Sequence, residues 1–326
     1  MTPLQYTLLQ LLADGRFHSG EQMACHAGVT RAAVWKALQG LRAYGIDMHA
    51  VSGRGYSLVN GFELLDTNAI VGAMSSATRS ALHSLTLLPT VDSTNAWLMR
   101  QGEEGGTTAC VAEHQTAGRG RRGRRWCSPF GSNLYLSLRC RFDEGMGRLA
   151  GLSLAVAIAV VRTLHEMDVK GVGVKWPNDI YWQERKLGGI LLEIAGESAG
   201  PCSVVVGIGL NVAMPRMEGE MIDQPWTDLA SIRPGLSRNQ LAGRMLHHLL
   251  EVMAEFKCHG LALFEQEWRE VDWLYGKPLR LLQPDGEVNG IGRGIAPDGS
   301  LLVEVSGKLQ RHTFGEVSVR LQDASA

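Results

Sequence analysis

The chain of 326 residues lacks the patterns of a disulfide scaffold, a zinc ribbon or a protein that coats polyanions. Its six cysteines are scattered and no two form CxxC, so reduced thiols of a cytosolic protein are the simpler interpretation. Lys and Arg number 32 against 33 Asp and Glu, a net charge of -1. Any binding of nucleic acid must therefore be local to one part of the chain.

Long hydrophobic runs and a phosphate-binding glycine loop are also missing. The most apolar segment, Leu149 to Val161, is shorter than the roughly 20 residues of a membrane helix, and it predicts a buried core helix. Asp14 and Arg16 interrupt the first apolar stretch, so a signal peptide is not expected. No GxxxxGK[ST] motif occurs, so any nucleotide must be held by side chains and exposed backbone amides.

The first 60 residues have the pattern of a winged helix-turn-helix module. Apolar residues at helical spacing predict three helices, with Ser19 and Thr30 as N-caps of the second and third. A short alternating strand, a glycine-rich turn and another strand follow, which predicts a two-stranded wing. Three helices and a hairpin in this order are typical of the winged form.

This module has two interpretations. If it binds DNA, its third helix lies in the major groove and the wing touches backbone or minor groove. Five Lys/Arg against three acids give this region a charge of only +2, so a specific site requires two copies of the protein. A protein-interaction module is the alternative, because winged helices recur in many roles. The candidate DNA contacts are Ser19, Thr30, Arg31, Trp35, Lys36, Gln39 and Arg54.

Strand and helix signals alternate from residue 63, and the sequence pattern changes again after Trp273. The middle region predicts one α/β or α+β domain. The last region has about five short strands separated by Pro-Asp-Gly and Ser-Gly turns, which predicts a small SH3-like β-barrel. The expected fold is therefore α+β and multidomain, with domains at 1–62, 63–272 and 273–326.

The densest charge in the chain is the segment Gly118–Arg125, GRGRRGRR, called the arginine loop below. Guanidinium groups pair with phosphates in a bidentate manner, and glycines allow close backbone approach. A solvated loop or a nucleic-acid patch is one interpretation. The other is a lid that closes over a reactive phosphate-bearing intermediate and excludes water.

Two lysine motifs favour the second interpretation. Lys175-Trp-Pro-Asn-Asp179 ends one predicted strand, and Arg185-Lys186-Leu-Gly-Gly-Ile190 begins another. A single lysine at the end of a strand is usually an exposed residue without a functional role. Beside the arginine loop, however, Lys186 is predicted to stabilise charge on a carboxylate or an α-phosphate during adenylation.

These motifs together resemble the biotin protein ligases, in particular the bifunctional bacterial form that is also the biotin operon repressor. The similarity extends over nearly the whole chain, from a helix-turn-helix segment to a C-terminal motif. It is carried by Asp92–Asn95, Gln115–Arg124, Lys175–Asp179, Arg185–Ile190, Gly207–Asn211, His18–Gln22, Thr30–Ala33 and Gly315–Arg320.

The resemblance implies roles for the residues that match its motifs. Lys186 is the principal catalytic candidate, assisted by Arg119 and Arg121, and Asp179 is implied on the Mg²⁺ side. The implied biotin site comprises Ser93, Thr94, Asn95, Gln115, Arg119, Gly120, Arg121 and Lys186. The implied ATP and adenylate site comprises Arg121, Arg124, Lys175, Asn178, Asp179, Asn211, Trp226 and Arg320.

The resemblance also implies a reaction and a regulation. The central domain is expected to be class II synthetase-like and to form biotinyl-5'-AMP from biotin and ATP with Mg²⁺, releasing pyrophosphate. Biotin then passes to a lysine of the biotin carboxyl carrier protein of acetyl-CoA carboxylase. When carrier is scarce, the adenylate acts as corepressor and favours a homodimer on operator DNA. The implied location is the cytoplasm, without membrane contact.

Two alternatives stay open at this point. The N-terminal module of a ligase could bind only proteins or substrates. Alternatively, the chain could be a DNA-binding regulator that uses its α/β region as a small-molecule sensor without turnover, although sensing alone does not require so much positive charge.

Overall fold

The computed structural model describes residues 1–59, 63–102, 106–196, 200–220, 222–283, 286–313 and 318–321. Within these ranges three units follow one another: a helical unit with a hairpin, a mixed α/β unit and an antiparallel sheet. Their order agrees with the predicted α+β, multidomain architecture. Residues 315–317 of the C-terminal motif lie outside the described residues.

The N-terminal unit has the three helices and the two-stranded wing that its sequence predicts. The side chains of Ser19 and Thr30 accept hydrogen bonds from the third backbone N–H of the helix that each precedes, which satisfies donors that helix starts leave unpaired. Leu8, Met23 and Leu38 are fully buried in its core. The elements are α1 Pro3–Leu12, α2 Gly20–Ala27, α3 Arg31–Leu41, β1 Met48–Val51 and β2 Gly55–Leu58.

Among the described residues, the central unit forms a seven-stranded sheet in which the β3–β4 pair is parallel and the other neighbouring strands are antiparallel. The spatial order is β3-β4-β5-β9-β8-β7-β6. The strands are β3 Ser84–Leu88, β4 Thr108–Ala112, β5 Leu134–Phe142, β6 Val172–Lys175, β7 Asp179–Trp182, β8 Arg185–Gly196 and β9 Cys202–Leu210.

Helices cover both faces of this sheet. α7 and α10 pack against each other and against one face, in the main core, while α6 contacts β4, β5 and β9 around the small cluster of Leu98, Cys110 and Val205. The helices of the unit are α4 Thr67–Gly72, α5 Ser76–Ala81, α6 Thr94–Arg100, α7 Leu152–Glu166, α8 Arg216–Gly219, α9 Leu229–Ile232, α10 Arg238–His259 and α11 Glu265–Val271.

The helix α7 confirms the predicted core helix. With the turn before it, the segment Met146–Glu166 is long and apolar enough to cross a membrane by length and composition. However, 72% of its most apolar 18-residue stretch is buried inside the fold. A helix that is apolar on nearly all sides is the expected result of such burial.

The C-terminal unit is a five-stranded antiparallel sheet of order β13-β12-β11-β10-β14. Among the described residues no pairing joins β13 to β14, so the predicted SH3-like barrel is not confirmed beyond an open sheet. The indole Nε1 of Trp176 donates to the carbonyl of Gly299 at 2.9 Å, which ties this unit to the central sheet. Its strands are β10 Pro278–Gln283, β11 Gly286–Ile295, β12 Leu301–Val305, β13 Lys308–His312 and β14 Ser318–Leu321.

Candidate active site

A cavity of about 480 Å³ in the central unit collects most of the predicted ligand-binding residues. Its volume lies within the range of small-molecule sites, roughly 300–1,000 Å³. The predicted residues that line it are Ser93, Thr94, Asn95, Gln115, Arg119, Gly120, Arg121, Arg124, Lys175, Asn178, Asp179, Lys186 and Arg320.

The start of α6 forms a buried polar end of this cavity. Ser93 caps the helix by accepting from the backbone N–H of Ala96. The carboxamide oxygen of Gln115 accepts from the backbone N–H of Thr94 at 2.9 Å and from its hydroxyl at 3.2 Å. Ser93, Thr94 and Gln115 are each at most 8% exposed. Their side chains are therefore fixed by the fold before any ligand arrives.

Asn95 is held at the same end by a strand on each side. Its amide nitrogen donates to Glu193 Oε2 at 2.8 Å, and its oxygen lies 2.6 Å from Ser137 Oγ. A Cβ on Gly207 would lie 2.3 Å from that oxygen. The glycine of β9 thus lets α6 approach the sheet closely enough to present Asn95 to the cavity.

The arginine loop is folded as a small hairpin. The backbone N–H of Gly120 donates to the carbonyl of Arg124 at 2.7 Å, and that of Trp126 donates to the carbonyl of Gly118 at 2.9 Å. Arg122 has a positive φ of 56° at the tip, a conformation that costs free energy for a residue with a side chain. The turn directs guanidinium groups toward the cavity.

Two of these guanidinium groups already have partners on the cavity wall. Arg119 lies 3.0 Å from the Glu193 carboxylate, and Arg121 donates to Asn178 Oδ1 at 3.0 Å. Burial lowers the pKa of Arg121, and the nearby Asp179 partly offsets that effect. The predicted lid is therefore anchored to β8 and to the turn between β6 and β7.

Lys186 also lines the cavity wall. Its Nζ is 2.8 Å from Asp179 Oδ1, and its side chain is 14% exposed. The same nitrogen is 5.6 Å from the centre of the Trp126 ring. The short β7–β8 hairpin pairs the strand starting at Asp179 with the strand carrying Lys186, which brings both charges to one point.

The neighbouring Lys175 makes this end of the cavity strongly cationic. Burial is the largest cause that lowers its pKa, and the charges of Lys186, Arg320 and Arg124 lower it further, while Asp179 opposes them. Arg320 reaches the site from β14. Several positive groups gathered at one end of a cavity create a favourable place for a polyanion such as a triphosphate.

The cavity offers few ligands of its own to the Mg²⁺ that the family resemblance implies. Among the described residues, its lining carboxylates are Asp179 and Asp223. Mg²⁺ usually binds through one or two carboxylates together with substrate phosphates and waters. The donor set therefore fits a cation that enters with the nucleotide, with Asp179 as the protein residue that would hold it.

Two predicted nucleotide contacts do not line this cavity. Asn211 is buried, and its amide donates to the carbonyl of Thr227 at 3.0 Å. The indole of Trp226 donates to the carbonyl of Gly219 at 2.9 Å, while its backbone forms a bridge with Lys186. Both positions support the segment beside Lys186, and their contact with nucleotide stays a prediction.

Sequence reasoning missed Trp126, Glu193 and Ser137 as parts of the site. Trp126 lines the cavity, and a Cβ on Gly209 would lie 2.5 Å from its ring. The alternation of glycine in Gly207-Ile-Gly209 was the available signal, because glycine inside a strand often marks a close approach. Glu193 and Ser137 carried no local signal.

Most of the predicted DNA contacts lie at the surface of the N-terminal unit. Arg31, Lys36 and Arg54 are exposed, and Trp35 is 56% exposed. The hydroxyls of Ser19 and Thr30 serve as helix caps, and Gln39 is half-buried. The Arg54 guanidinium stacks over Phe17 at 4.3 Å, which fixes the tip of the wing.

Comparison with known proteins agrees with this division into three units. Residues 4–57 match the HTH domain family, residues 87–211 the biotin/lipoate A/B protein ligase family, and residues 275–320 the biotin protein ligase C terminal domain.

Two curated bacterial proteins are similar over almost their whole length. The chain is 42% identical over 320 residues to the bifunctional ligase/repressor BirA of Salmonella typhimurium, covering 98% of each chain. It is 42% identical over 314 residues to the protein of that name in Escherichia coli, covering 96% of each.

Solved structures give the same result. A biotin protein ligase from Aquifex aeolicus in complex with biotin and ATP has a TM-score of 0.63 and 30% identity. That match covers 73% of this chain and 99% of the other.

Proposed function

Because the chain belongs to the biotin protein ligase family, we propose that it forms biotinyl-5'-AMP from biotin and MgATP and transfers biotin to a lysine of a biotin carboxyl carrier protein. We further propose that it is a transcriptional repressor with the adenylate as corepressor. The 42% identity to two bifunctional ligase/repressors over nearly the full length supports both activities.

The observation that carries the ligase proposal is the division of a single cavity into a neutral polar end and a cationic end. Hydroxyl and amide groups of Thr94 and Asn95 suit the donors and acceptors of a ureido ring. Lys186, Lys175 and the arginine loop suit a carboxylate and phosphates. Biotin carries a ureido ring at one end and a carboxylate at the other, and this carboxylate is the group that meets the phosphates of ATP.

In the first step a biotin carboxylate oxygen attacks the α-phosphorus of ATP, and the bond to the pyrophosphate oxygen breaks. Lys186 holds the reacting carboxylate and an α-phosphoryl oxygen, so that its charge offsets the negative charge that builds up. Mg²⁺ held by Asp179 would neutralise phosphate charge. No proton transfer is required, because the carboxylate is already ionised.

In the second step the mixed anhydride meets the amine of a carrier lysine. The neutral amine attacks the acyl carbon, the bond from that carbon to the phosphate oxygen breaks, AMP leaves with the bonding electrons, and the surplus proton of the amine passes to solvent. Before that encounter, Arg119 and Arg121 keep the adenylate under the arginine loop and restrict water. The remaining nucleotide contacts are proposed for Arg124, Asn178, Asn211, Trp226 and Arg320.

The repressor proposal rests on the N-terminal unit. The exposed face of α3, with Arg31, Trp35 and Lys36, would enter the major groove, and Arg54 would contact backbone at the wing. A modest local charge favours a homodimer on a two-fold operator, formed when the adenylate accumulates. The protein is proposed to act in the cytoplasm, with domains at 1–62, 63–272 and 273–326, a class II synthetase-like centre and an SH3-like barrel.

The ligase proposal is tested by incubating the purified protein with biotin, ATP and Mg²⁺ and measuring pyrophosphate. We expect release that depends on biotin, followed by labelling of a carrier domain with biotin. Absence of pyrophosphate would reject adenylation and favour a sensor that regulates without turnover.

The repressor proposal requires its own measurement. Selection of bound sequences from a random DNA pool, with biotin and ATP present, should enrich a two-fold symmetric site, and Lys36→Ala should weaken binding and lower the slope of log affinity against log salt by about 1. Ligase activity without enrichment of any DNA would support an N-terminal unit that binds only proteins.

A further inference from the structure

A cluster of two histidines and a glutamate lies on α10, away from the cavity. His247, His248 and Glu251 occupy positions i, i+1 and i+4, and the ligand atoms of the three lie within 4.8 Å of one another. Both imidazoles are only 15% exposed, while Glu251 is 42% exposed. The cluster therefore lies in a recess of the surface and opens to solvent on the side of Glu251.

The far nitrogen of each imidazole has an outer partner. His247 Nδ1 lies 3.0 Å from Thr78 Oγ1 on α5, and that hydroxyl can donate to the carbonyl of Ser75 at 3.3 Å. It is then an acceptor for His247 Nδ1–H. His248 Nε2 lies 2.8 Å from Glu166 Oε2 at the end of α7, and a carboxylate accepts a proton donor.

These outer contacts favour one ring nitrogen as the free one in each neutral imidazole. With protons on His247 Nδ1 and His248 Nε2, the lone pairs lie on His247 Nε2 and His248 Nδ1. Those two atoms are 3.6 Å and 3.4 Å from the same oxygen, Glu251 Oε2. His248 Nδ1 is buried and has no hydrogen-bond partner. Two imidazole nitrogens and a carboxylate oxygen thus lie within 4.8 Å of one another.

From this arrangement we propose that His247, His248 and Glu251 bind a zinc-class divalent transition-metal ion. Tetrahedral ligands about 2.1 Å from Zn²⁺ lie about 3.4 Å apart. The two imidazole nitrogens lie 3.6 Å and 3.4 Å from Glu251 Oε2, which is close to that value. Metal-bound histidines typically donate their other N–H to a carboxylate or another acceptor, as Glu166 and Thr78 would accept here. Imidazole nitrogen favours Zn²⁺, Ni²⁺, Co²⁺ or Cu²⁺ over Mg²⁺ or Ca²⁺.

The bound ion would connect three helices. Its ligands lie on α10, while their outer partners lie on α5 and α7, and Arg244 holds the second oxygen of Glu166 at 3.2 Å. Occupancy should therefore raise the melting temperature, because an ion that binds only the folded state stabilises it by mass action. None of these residues lines the cavity, so the ion is separate from the proposed Mg²⁺.

The test uses the full chain carrying Cys25→Ser and Cys258→Ser, since both of these thiols are exposed and would compete for the metal. After chelator treatment, Zn²⁺ binding is measured by calorimetry and Co²⁺ coordination by visible absorption. Further variants are His248→Gln, Glu251→Gln and Thr78→Val. The exposed imidazole of His83 provides the matched control His83→Gln.

We expect one ion per chain, a tetrahedral Co²⁺ spectrum and a higher melting temperature with Zn²⁺. Thr78→Val should weaken binding by about 10- to 100-fold, the usual effect of removing an outer hydrogen bond, and His248→Gln and Glu251→Gln by at least as much. His83→Gln should bind like the parent. Biotin-dependent pyrophosphate release should be unchanged in all of them.

Two results would overturn the site: no binding by the parent, or binding that His248→Gln and Glu251→Gln leave intact. The melting temperature and circular dichroism of the metal-free variants distinguish loss of a ligand from loss of fold. If the metal-free variants melt well below the metal-free parent and the parent binds no ion, the cluster is a network of histidine–carboxylate contacts.

Discussion

The two ends of the cavity differ in the burial, the hydrogen bonding and the charge of the residues that form them. At the polar end, Thr94 and Asn95 are almost wholly buried and are bonded to Gln115, Ser137 and Glu193. At the cationic end, guanidinium and ammonium groups crowd together, and several of them stay partly exposed.

The difference follows from what each end must bind. Neutral donors and acceptors give specificity only if they are buried and fixed, because an unpaired group in such a site costs about 1–3 kcal/mol. Charges act over longer distances, and a lid must open, so exposure and mobility are acceptable at that end. Substitutions at the polar end should therefore change biotin affinity, and those at the cationic end should change chemistry and retention.

The largest effect is expected for Lys186→Ala. Loss of the ammonium group removes charge stabilisation at the reacting centre, and adenylate formation should fall by about 100- to 1,000-fold. Biotin-dependent pyrophosphate release measures it, with the exposed Lys170 changed to Ala as the matched control.

The fold of the Lys186→Ala variant should survive, because Lys186 pairs with Asp179 at the cavity wall and is not in the core. A normal melting curve with lost activity supports a catalytic role. Turnover close to that of the parent would remove Lys186 from the mechanism.

The next effect belongs to the polar end. Gly207→Ala places a Cβ 2.3 Å from Asn95 Oδ1, so the amide must leave its present position. Biotin should bind about 10-fold more weakly or worse, since one displaced hydrogen bond of a buried group costs about 1–3 kcal/mol, while the KM for ATP should change little.

Gly102→Ala is the control for that substitution, because a Cβ there meets nothing within 4 Å. Calorimetry with biotin alone separates binding from chemistry. Unchanged biotin affinity in Gly207→Ala would mean that Asn95 does not face the ligand.

Arg121→Gly should give a smaller change in the first step and a clear change in retention. The guanidinium donates to Asn178 and anchors the arginine loop, and a hydrogen bond of a charged group contributes about 1.5–3 kcal/mol. Adenylate should leave about 10-fold faster or more and label lysines of unrelated proteins. Release of radiolabelled adenylate in a filter assay measures this.

Arg122→Gly is the matched comparison within the same loop. It also removes one guanidinium, but a glycine relieves the positive φ at that position. Equal leakage from both variants would show that retention depends on more than the Arg121–Asn178 contact.

The sequence predicts the features that depend on local patterns or on the residue type alone. The winged unit follows from local signals, namely helical periodicity and the caps Ser19 and Thr30, which the structure confirms. The convergence of Lys175, Lys186 and the arginine loop on one cavity also agrees with the motif analysis. The positive charge of each of these groups is a property of its residue type, so the sequence alone shows it.

The supporting contacts are different, because they depend on pairing across the sheet. Glu193 meets Arg119 and Asn95 from distant parts of the chain, separated by 74 and 98 positions. Trp126 fits against Gly209 through the β8–β9 register. Closure of the C-terminal strands into a barrel is likewise a question of long-range pairing, and composition predicts the strands without predicting their register.

The smallest expected effect concerns Lys175, and it tests whether crowding of charge at the cationic end costs stability. Its pKa is lowered in the folded state, chiefly by burial, so at neutral pH the protonated lysine destabilises the fold relative to a neutral side chain. As the pH rises from the lowered folded-state pKa to the ordinary value of about 10.4, the unfolded state binds more protons and the cost disappears. Lys175→Met should therefore melt higher than the parent at pH 7, and this advantage should shrink as the pH approaches 10. Thermal melting across this range, with Lys170→Met as control, measures it. An advantage that does not change with pH would assign the effect to packing against Tyr181 and Trp273.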